Sequence, residues 1–198
     1  MGKTVVVYKS KTGFVQKYAE WLAEDLSADI FALSAVHPGV FEDYDTIIYG
    51  GSLYATGIIG LDFLKKNLAQ LAGKKIVVFA CGASPSNDEL FAKLINHNFT
   101  ADQQKQIKFF YLRRGFNFKK LPPFDKLLMT LLKWKMLLKK VITKNLNSDE
   151  TGMLEAYKKP LDFTQRRNIA PIVAYVNALF FGAGGKDRSK KNVRLCTD

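Results

Sequence analysis

The chain predicts a single α/β domain in which a five-stranded parallel sheet carries helices on both faces. Two patterns predict it. Five short apolar runs, rich in β-branched and aromatic residues, recur along the 198 residues, and stretches of helical period separate them. Strands buried on both faces read as near-continuous apolar runs. Their alternation with helices is the pattern of a parallel sheet.

The elements follow in order. Lys3-Thr4-Val5-Val6-Val7-Tyr8 is strand one. Val15, Tyr18, Ala19, Leu22, Ala23 and Leu26 then repeat at helical spacing. Residues 29–33 read as strand two and 46–49 as strand three. A helix is expected over 58–71, closed by Gly73. Residues 75–80 make strand four, 89–95 a helix, and 107–112 strand five. A long helix follows over 124–143, and the last runs from about Pro171 to Phe181. Pro171 suits a first helical turn, where its missing N–H is not needed.

Length and composition fit one domain, expected to cover residues 1–184 with an insert at about 116–160. Gly182 to Gly185 and the basic residues after them read as a flexible tail over 185–198. The cysteines, Cys81 and Cys196, lie far apart, and His37 and His97 stand alone. No metal site is expected, and the cysteine usage suits a reducing compartment. The N-terminus enters a strand directly, without a signal-peptide pattern. No apolar run reaches the ~20 residues that a spanning helix needs. A cytoplasmic protein is expected, with peripheral contact at the inner face of the membrane as a further expectation.

The candidate site lies at the carboxyl ends of the strands, where ligands of such sheets bind. Ser10-Lys11-Thr12-Gly13-Phe14-Val15 joins strand one to the first helix. Free backbone N–H groups and the positive end of a helix dipole meet there, which suits a phosphate. Ser10 and Thr12 add hydroxyls, and Gly13 allows close backbone approach. Neither the Walker A frame nor Gly-x-Gly-x-x-Gly is present. A helix cap that binds nothing is the plain alternative. Gly50-Gly51-Ser52-Leu53-Tyr54 follows strand three, and Cys81-Gly82-Ala83 follows strand four. Paired glycines let backbone approach a flat ligand, and Leu53 or Tyr54 could cover its face. Cys81 reads as a small residue in a tight loop, since no second cysteine is near.

Residues 10–15 resemble the flavodoxin phosphate loop, Ser/Thr-x-Thr-Gly-x-Thr, which wraps the phosphate of FMN. Val15 departs from it, standing where a threonine is usual. One hydroxyl to the phosphate should be missing, and Lys11 or Lys9 could offset the loss with charge. The resemblance implies a flavodoxin-like fold and FMN as cofactor, with the loops after strands three and four clasping the isoalloxazine. A receiver domain shares this architecture, but Tyr49-Gly50 and Lys9-Ser10 stand where its acidic residues belong. No nucleophile elbow occurs, and no catalytic acid, base or nucleophile stands out.

Net charge is +12, yet no helix-turn-helix, RRM or zinc signature accompanies it, so nucleic acid is not the expected partner. The charge is concentrated: Lys108 to Lys144 holds eleven Lys or Arg and one acid, Asp125. Within it, Phe124, Leu127, Leu128, Leu131, Leu138, Val141 and Ile142 share a helix face. Lys126, Lys133, Lys140 and Lys144 lie opposite, and Met129, Trp134, Met136 and Leu137 widen the apolar arc. Such a helix can lie in an anionic membrane surface, or pack on its own domain. The residues 109–116 and 124–129, with Lys17-Tyr18-Ala19, are similar to the menaquinone-dependent protoporphyrinogen oxidases of flavodoxin type. That resemblance implies a quinone acceptor and an anionic tetrapyrrole as donor. Three functions stay open: such an FMN oxidoreductase, an electron carrier between proteins, and a flavin-free interaction module. Typical carriers are strongly acidic, which sets this basic chain apart.

Overall fold

The structure is a computed structural model, and it describes residues 2–143 and 148–181. The expected tail at 185–198, with Cys196, lies outside the described residues, as does Lys144.

Alternation places the core on both sides of one sheet. In β1 (Thr4–Lys9) successive side chains point to opposite faces. Val5 and Val7 join one apolar cluster and Val6 the other. The same split runs through β3 (Thr46–Tyr54), β5 (Lys75–Gly82) and β6 (Ile107–Arg113). On the first face lie Leu61 and Leu64 of α2 (Leu61–Asn67) and Leu94 of α3 (Asp88–Asn98). On the second lie α1 (Phe14–Leu26), through Val15, Tyr18 and Leu22, and α7 (Ala170–Phe181), through Ile172 and Val176.

With β2 (Asp29–Ala32), the sheet order is β2-β1-β3-β5-β6, all parallel. The five-stranded parallel sheet is therefore as expected. β4 (Gly57–Ile58) is an added two-residue strand, antiparallel to the tip of β3. Winding reverses at β1, and the crevice between the ends of β1 and β3 is the switch point.

Several expected boundaries differ. The helix expected from residue 58 begins at Leu61, because Ile58 pairs with Leu53 in β4. Gly60 makes the break at φ +79, where a Cβ would lie 2.4 Å from the Tyr49 hydroxyl. Residues 68–71 close that segment as a 3-10 turn. α3 extends to Asn98, which ties the hairpin down: its Oδ1 accepts from Ile58 N–H at 2.9 Å, and its Nδ2 donates to Thr56 carbonyl at 2.7 Å. α4 (Ala101–Gln106) and α6 (Ser148–Lys158) are additional elements. α4 starts at a reciprocal Thr100–Gln103 capping box.

The insert meets the loop after β1, where Asp125 pairs with Lys11. α5 (Pro123–Thr143) is a 21-residue helix. α6 is held to it by Lys139–Glu150 and by the Tyr157 hydroxyl, which donates to Met129 carbonyl at 2.6 Å. Met136 is the buried apolar residue of α5, and Asp125 is buried at its start. The broad apolar arc instead faces outward, with Phe124, Leu131, Trp134 and Leu138 all exposed.

Candidate functional site

Gly13 makes the phosphate-loop geometry possible. Its φ of +88 turns the chain from β1 into α1, a region that L side chains rarely enter. No Cβ clash accounts for the glycine, since nothing lies within 4 Å of that position. Gly13 N–H donates to Ser10 Oγ at 3.0 Å, and its carbonyl accepts from Lys17 N–H. The N–H groups of Phe14, Val15 and Gln16 form the open first turn of α1. Thr12 is buried, and its hydroxyl makes no hydrogen bond among the described residues. Phe14 and Val15 are buried, with Val15 under α1 against the sheet. These two offer backbone rather than side chains.

Lys11 is already engaged. Its ammonium lies 2.8 Å from Asp125 Oδ2 and 4.7 Å from the centre of the Tyr54 ring. Asp125 belongs to the first turn of α5, so this pair bolts the insert to the loop. The charge available to replace the missing threonine hydroxyl is therefore that of Lys9, which makes no ion pair among the described residues.

The expected loop at Gly50–Tyr54 needs correction. β3 runs on to Tyr54, and the chain turns only at Ala55, whose φ is +53. Gly50 and Gly51 pair with Tyr8 and Lys9, and Ser52 with Cys81. Their backbone is thus engaged within the sheet. A Cβ on Gly50 would fall 2.1 Å from Phe79, and one on Gly51 would fall 2.5 Å from Ile58. A side chain at either position would therefore collide with neighbouring protein. Leu53 is half-buried and Tyr54 is 48% exposed, so the face of the hairpin tip is what remains available.

Cys81 and Gly82 likewise belong to β5, paired with Leu112 and Arg113. Burial pushes the Cys81 thiol well up, which leaves it inert as a nucleophile. A Cβ on Gly82 would lie 2.5 Å from the Tyr111 hydroxyl. The loop proper begins at the exposed Ala83 and ends at Asn87, which caps α3 through Leu90 N–H at 2.7 Å.

Arg113, Arg114 and Tyr111 are site residues that the motif reading passes over. Arg114 Nε donates to Cys81 carbonyl at 3.2 Å, and Tyr111 Oη donates to Ser84 carbonyl at 2.6 Å. The signal was the arginine pair directly at the end of a strand, masked by the lysines that follow. On α1, the Tyr18 hydroxyl donates to Arg113 carbonyl and receives from Asn168, and burial pushes its pKa up to about 12.

The three loops, after β1, β3 and β5, thus meet at one end of the sheet with an open turn, an exposed aromatic and an exposed amide loop. This donor set fits a phosphorylated, planar group: free amides and a hydroxyl for the phosphate, and Tyr54 for the ring.

Comparison with known proteins agrees with this frame. The flavodoxin domain family matches residues 5–140. An uncharacterized protein of Methanocaldococcus jannaschii is 28% identical over 92 residues, which cover 46% of this chain and 61% of that protein. The chain therefore spans less than two thirds of that relative. Among solved structures, flavodoxin 1 of Bacillus cereus is 20% identical over 73% of this chain and 99% of its own, with a TM-score of 0.38. A flavodoxin, WrbA-like protein from Agrobacterium tumefaciens is 22% identical over 57% and 84%, at 0.40. Megasphaera elsdenii flavodoxin is 15% identical over 55% and 82%, at 0.41. With the family matched over more than half its length, the chain belongs to the flavodoxin domain family, a family of FMN-binding domains.

Proposed function

We propose that this protein holds one FMN non-covalently and passes electrons from a donor to a quinone at an anionic membrane surface. The loop from Ser10 to Val15 is the observation that carries the cofactor part, because its open amides and the unpaired Thr12 hydroxyl suit a phosphate. Bound FMN supplies the electron transfer, and the protein supplies position and electrostatics. Phe14, Val15 and Gln16 offer N–H groups to the phosphate, Thr12 its hydroxyl, and Lys9 charge. Leu53 and Tyr54 flank the ring from the β3–β4 hairpin, and Ala83 stands at the start of the opposite loop.

The membrane part rests on α5. Its outward apolar face is bordered by Lys126, Lys133 and Lys140 on one side and by Lys135 on the other. A monomer seldom leaves so continuous an apolar face bare. Asp125–Lys11 joins that helix directly to the phosphate loop, which would keep the flavin near the bilayer. No helix among the described residues is long and apolar enough to cross a membrane, so contact would be peripheral. The similarity of residues 109–116 and 124–129 to the protoporphyrinogen oxidases supports a quinone acceptor and an anionic, tetrapyrrole-like donor. A carrier between soluble proteins would leave the outward face of α5 without a role.

Flavin fluorescence quenching tests the cofactor. Saturable binding of one FMN per chain, tighter than riboflavin, is expected. Equal affinity for the two would refute the role given to the phosphate loop. Turnover of a bound donor with quinone in vesicles, absent with quinone kept out of the bilayer, tests the acceptor.

A further inference from the structure

α5 and α6 border a groove of about 440 Å³, within the about 300–1,000 Å³ of small-ligand sites. α5 contributes Lys133, Leu137 and Lys140, and α6 contributes Leu154, Glu155 and Lys158. Residues three and four apart are neighbours on a helix face, so each set forms a row along its helix. Contacts outside the groove hold the two rows in place. Lys139 pairs with Glu150, and the Tyr157 hydroxyl donates to Met129 carbonyl at 2.6 Å. The Tyr157 ring packs on Phe116 and Phe118, with ring centres 5.6 and 5.3 Å away. The groove is therefore built into the packed insert.

Its charge is one-sided. Three lysines and one glutamate line it, a balance of +2. None of the four makes an ion pair among the described residues. The Lys133 ammonium instead lies 5.6 Å from the centre of the Tyr157 ring. Unpaired lysines along a concave wall concentrate positive potential and favour an anion there. Leu137 and Leu154 make part of the same lining apolar. Lysine stems lie along such a surface while their ammonium groups reach polar headgroups. The groove also borders the outward apolar face of α5. On the helix, Leu137 stands between Lys133 and Lys140 on one side and Val141 and Trp134 on the other, each within about 60°. Leu137, Val141 and Trp134 are all exposed.

We propose that this groove binds the phosphomonoester headgroup of an anionic lipid, whose acyl chains continue along the outward apolar face of α5. The proposal rests on the membrane reading above and names the lipid chemistry that reading leaves open. A phosphomonoester carries a charge of about −1.5 to −2 at neutral pH, which matches the balance of the groove. It also presents three acceptor oxygens, one for each lysine. A phosphodiester carries a single charge and leaves part of the lysine charge uncompensated. A free phosphate ester would meet the same lysines, but it would leave Leu137, Leu154 and the adjoining apolar face unused.

The test is co-sedimentation of the full chain with vesicles of a neutral lipid carrying either phosphatidic acid or phosphatidylglycerol, at physiological salt. The two anionic contents are adjusted to equal surface potential, which cancels the general attraction of a basic protein. Phosphatidic acid vesicles should bind more tightly by about fivefold or more, the worth of one further lysine contact at an anionic surface. Lys133→Gln combined with Lys140→Gln should abolish that preference. Lys135→Gln, on the far border of the apolar face, should weaken both lipids alike and keep it. Glutamine retains helix propensity, and circular dichroism checks the fold of each variant. A preference that survives the double substitution overturns the assignment to this groove. Glycerol 3-phosphate in excess should leave the vesicle complex intact; displacement by it would assign the groove to a free phosphate ester and overturn the lipid. Equal binding to the two vesicle types refutes this inference alone, and needs no variant to be stable. No sedimentation with either type refutes the membrane reading itself, and this inference with it.

Discussion

Replacing Leu131 and Leu138 by glutamine should release the protein from anionic vesicles while leaving its fold intact. Phe124, Leu127, Leu131, Trp134, Leu138, Val141 and Ile142 are each 57–78% exposed. At 3.6 residues per turn they fall within an arc of about 100° on α5. The opposite side holds Asp125 and Met136, the helix's buried residues. Fully burying one leucine is worth about 1.5–3 kcal/mol. With 59% of each of Leu131 and Leu138 still exposed, roughly 1 kcal/mol per residue remains to be gained at a membrane. Losing both costs about 2 kcal/mol, a weakening of about 30-fold in partitioning. Glutamine keeps helix propensity close to that of leucine, so α5 should survive by circular dichroism. The assay is co-sedimentation with anionic and neutral vesicles at low and physiological salt. Lysine attraction, worth up to about 1 kcal/mol each, should fade as salt rises, and the apolar part should persist. If the parent protein stays in the supernatant with anionic vesicles at physiological salt, or if the double variant binds equally, the outward face of α5 has another occupant.

Three further outcomes test the site. Thr12→Ala should remove a charge-assisted bond to phosphate worth about 1.5–3 kcal/mol, weakening FMN by tenfold or more and leaving riboflavin unchanged in a fluorescence titration. Asp125→Asn should free Lys11 from its 2.8 Å pair and remove a negative charge beside the loop. FMN should then bind a few-fold more tightly, by about 1 kcal/mol, and an unchanged or weaker dissociation constant would place Lys11 out of reach of the phosphate. Gly50→Ala should force Phe79 aside from a 2.1 Å overlap and cost about 1–3 kcal/mol, read as a melting point lower by several degrees. FMN affinity measured well below that temperature should hold; a large affinity loss with an unchanged melting point would return Gly50 to the ligand.

The sheet was legible because burial on both faces leaves a plain trace. Val5-Val6-Val7 needs apolar residues at every position, and so do Ile47-Ile48-Tyr49 and Ile76-Val77-Val78. The Ser10–Val15 turn was legible for a related reason, since Gly13 and the hydroxyls sit in a fixed frame between strand and helix. Paired glycines at 50–51 read as a loop but lie within β3, because a glycine reports that something comes close without reporting what. Here Phe79 and Ile58 come close, and both are distant in sequence. The β4 hairpin was hidden for a similar reason: Asn98, forty residues on, supplies its hydrogen bonds. α4 was within reach, as Thr100 and Gln103 form a capping box at the expected spacing.

The basic insert shows where periodicity stops being informative. A helical wheel finds the apolar face of α5 but not what covers it, and a lysine-rich neighbourhood conceals the charges that matter. Asp125 is the single acid among eleven basic residues from Lys108 to Lys144, and it is the one that reaches Lys11 in the phosphate loop. Arg113 and Arg114 open the same stretch and reach the loop after β5 instead. The loops after β1 and β5, at either end of the candidate site, are therefore gripped by residues from β6 and the start of α5. A helix added only for membrane contact could attach anywhere on the sheet's edge. This one begins at the candidate site, so displacing it should disturb the phosphate loop through Lys11, and displacing the phosphate loop should disturb it.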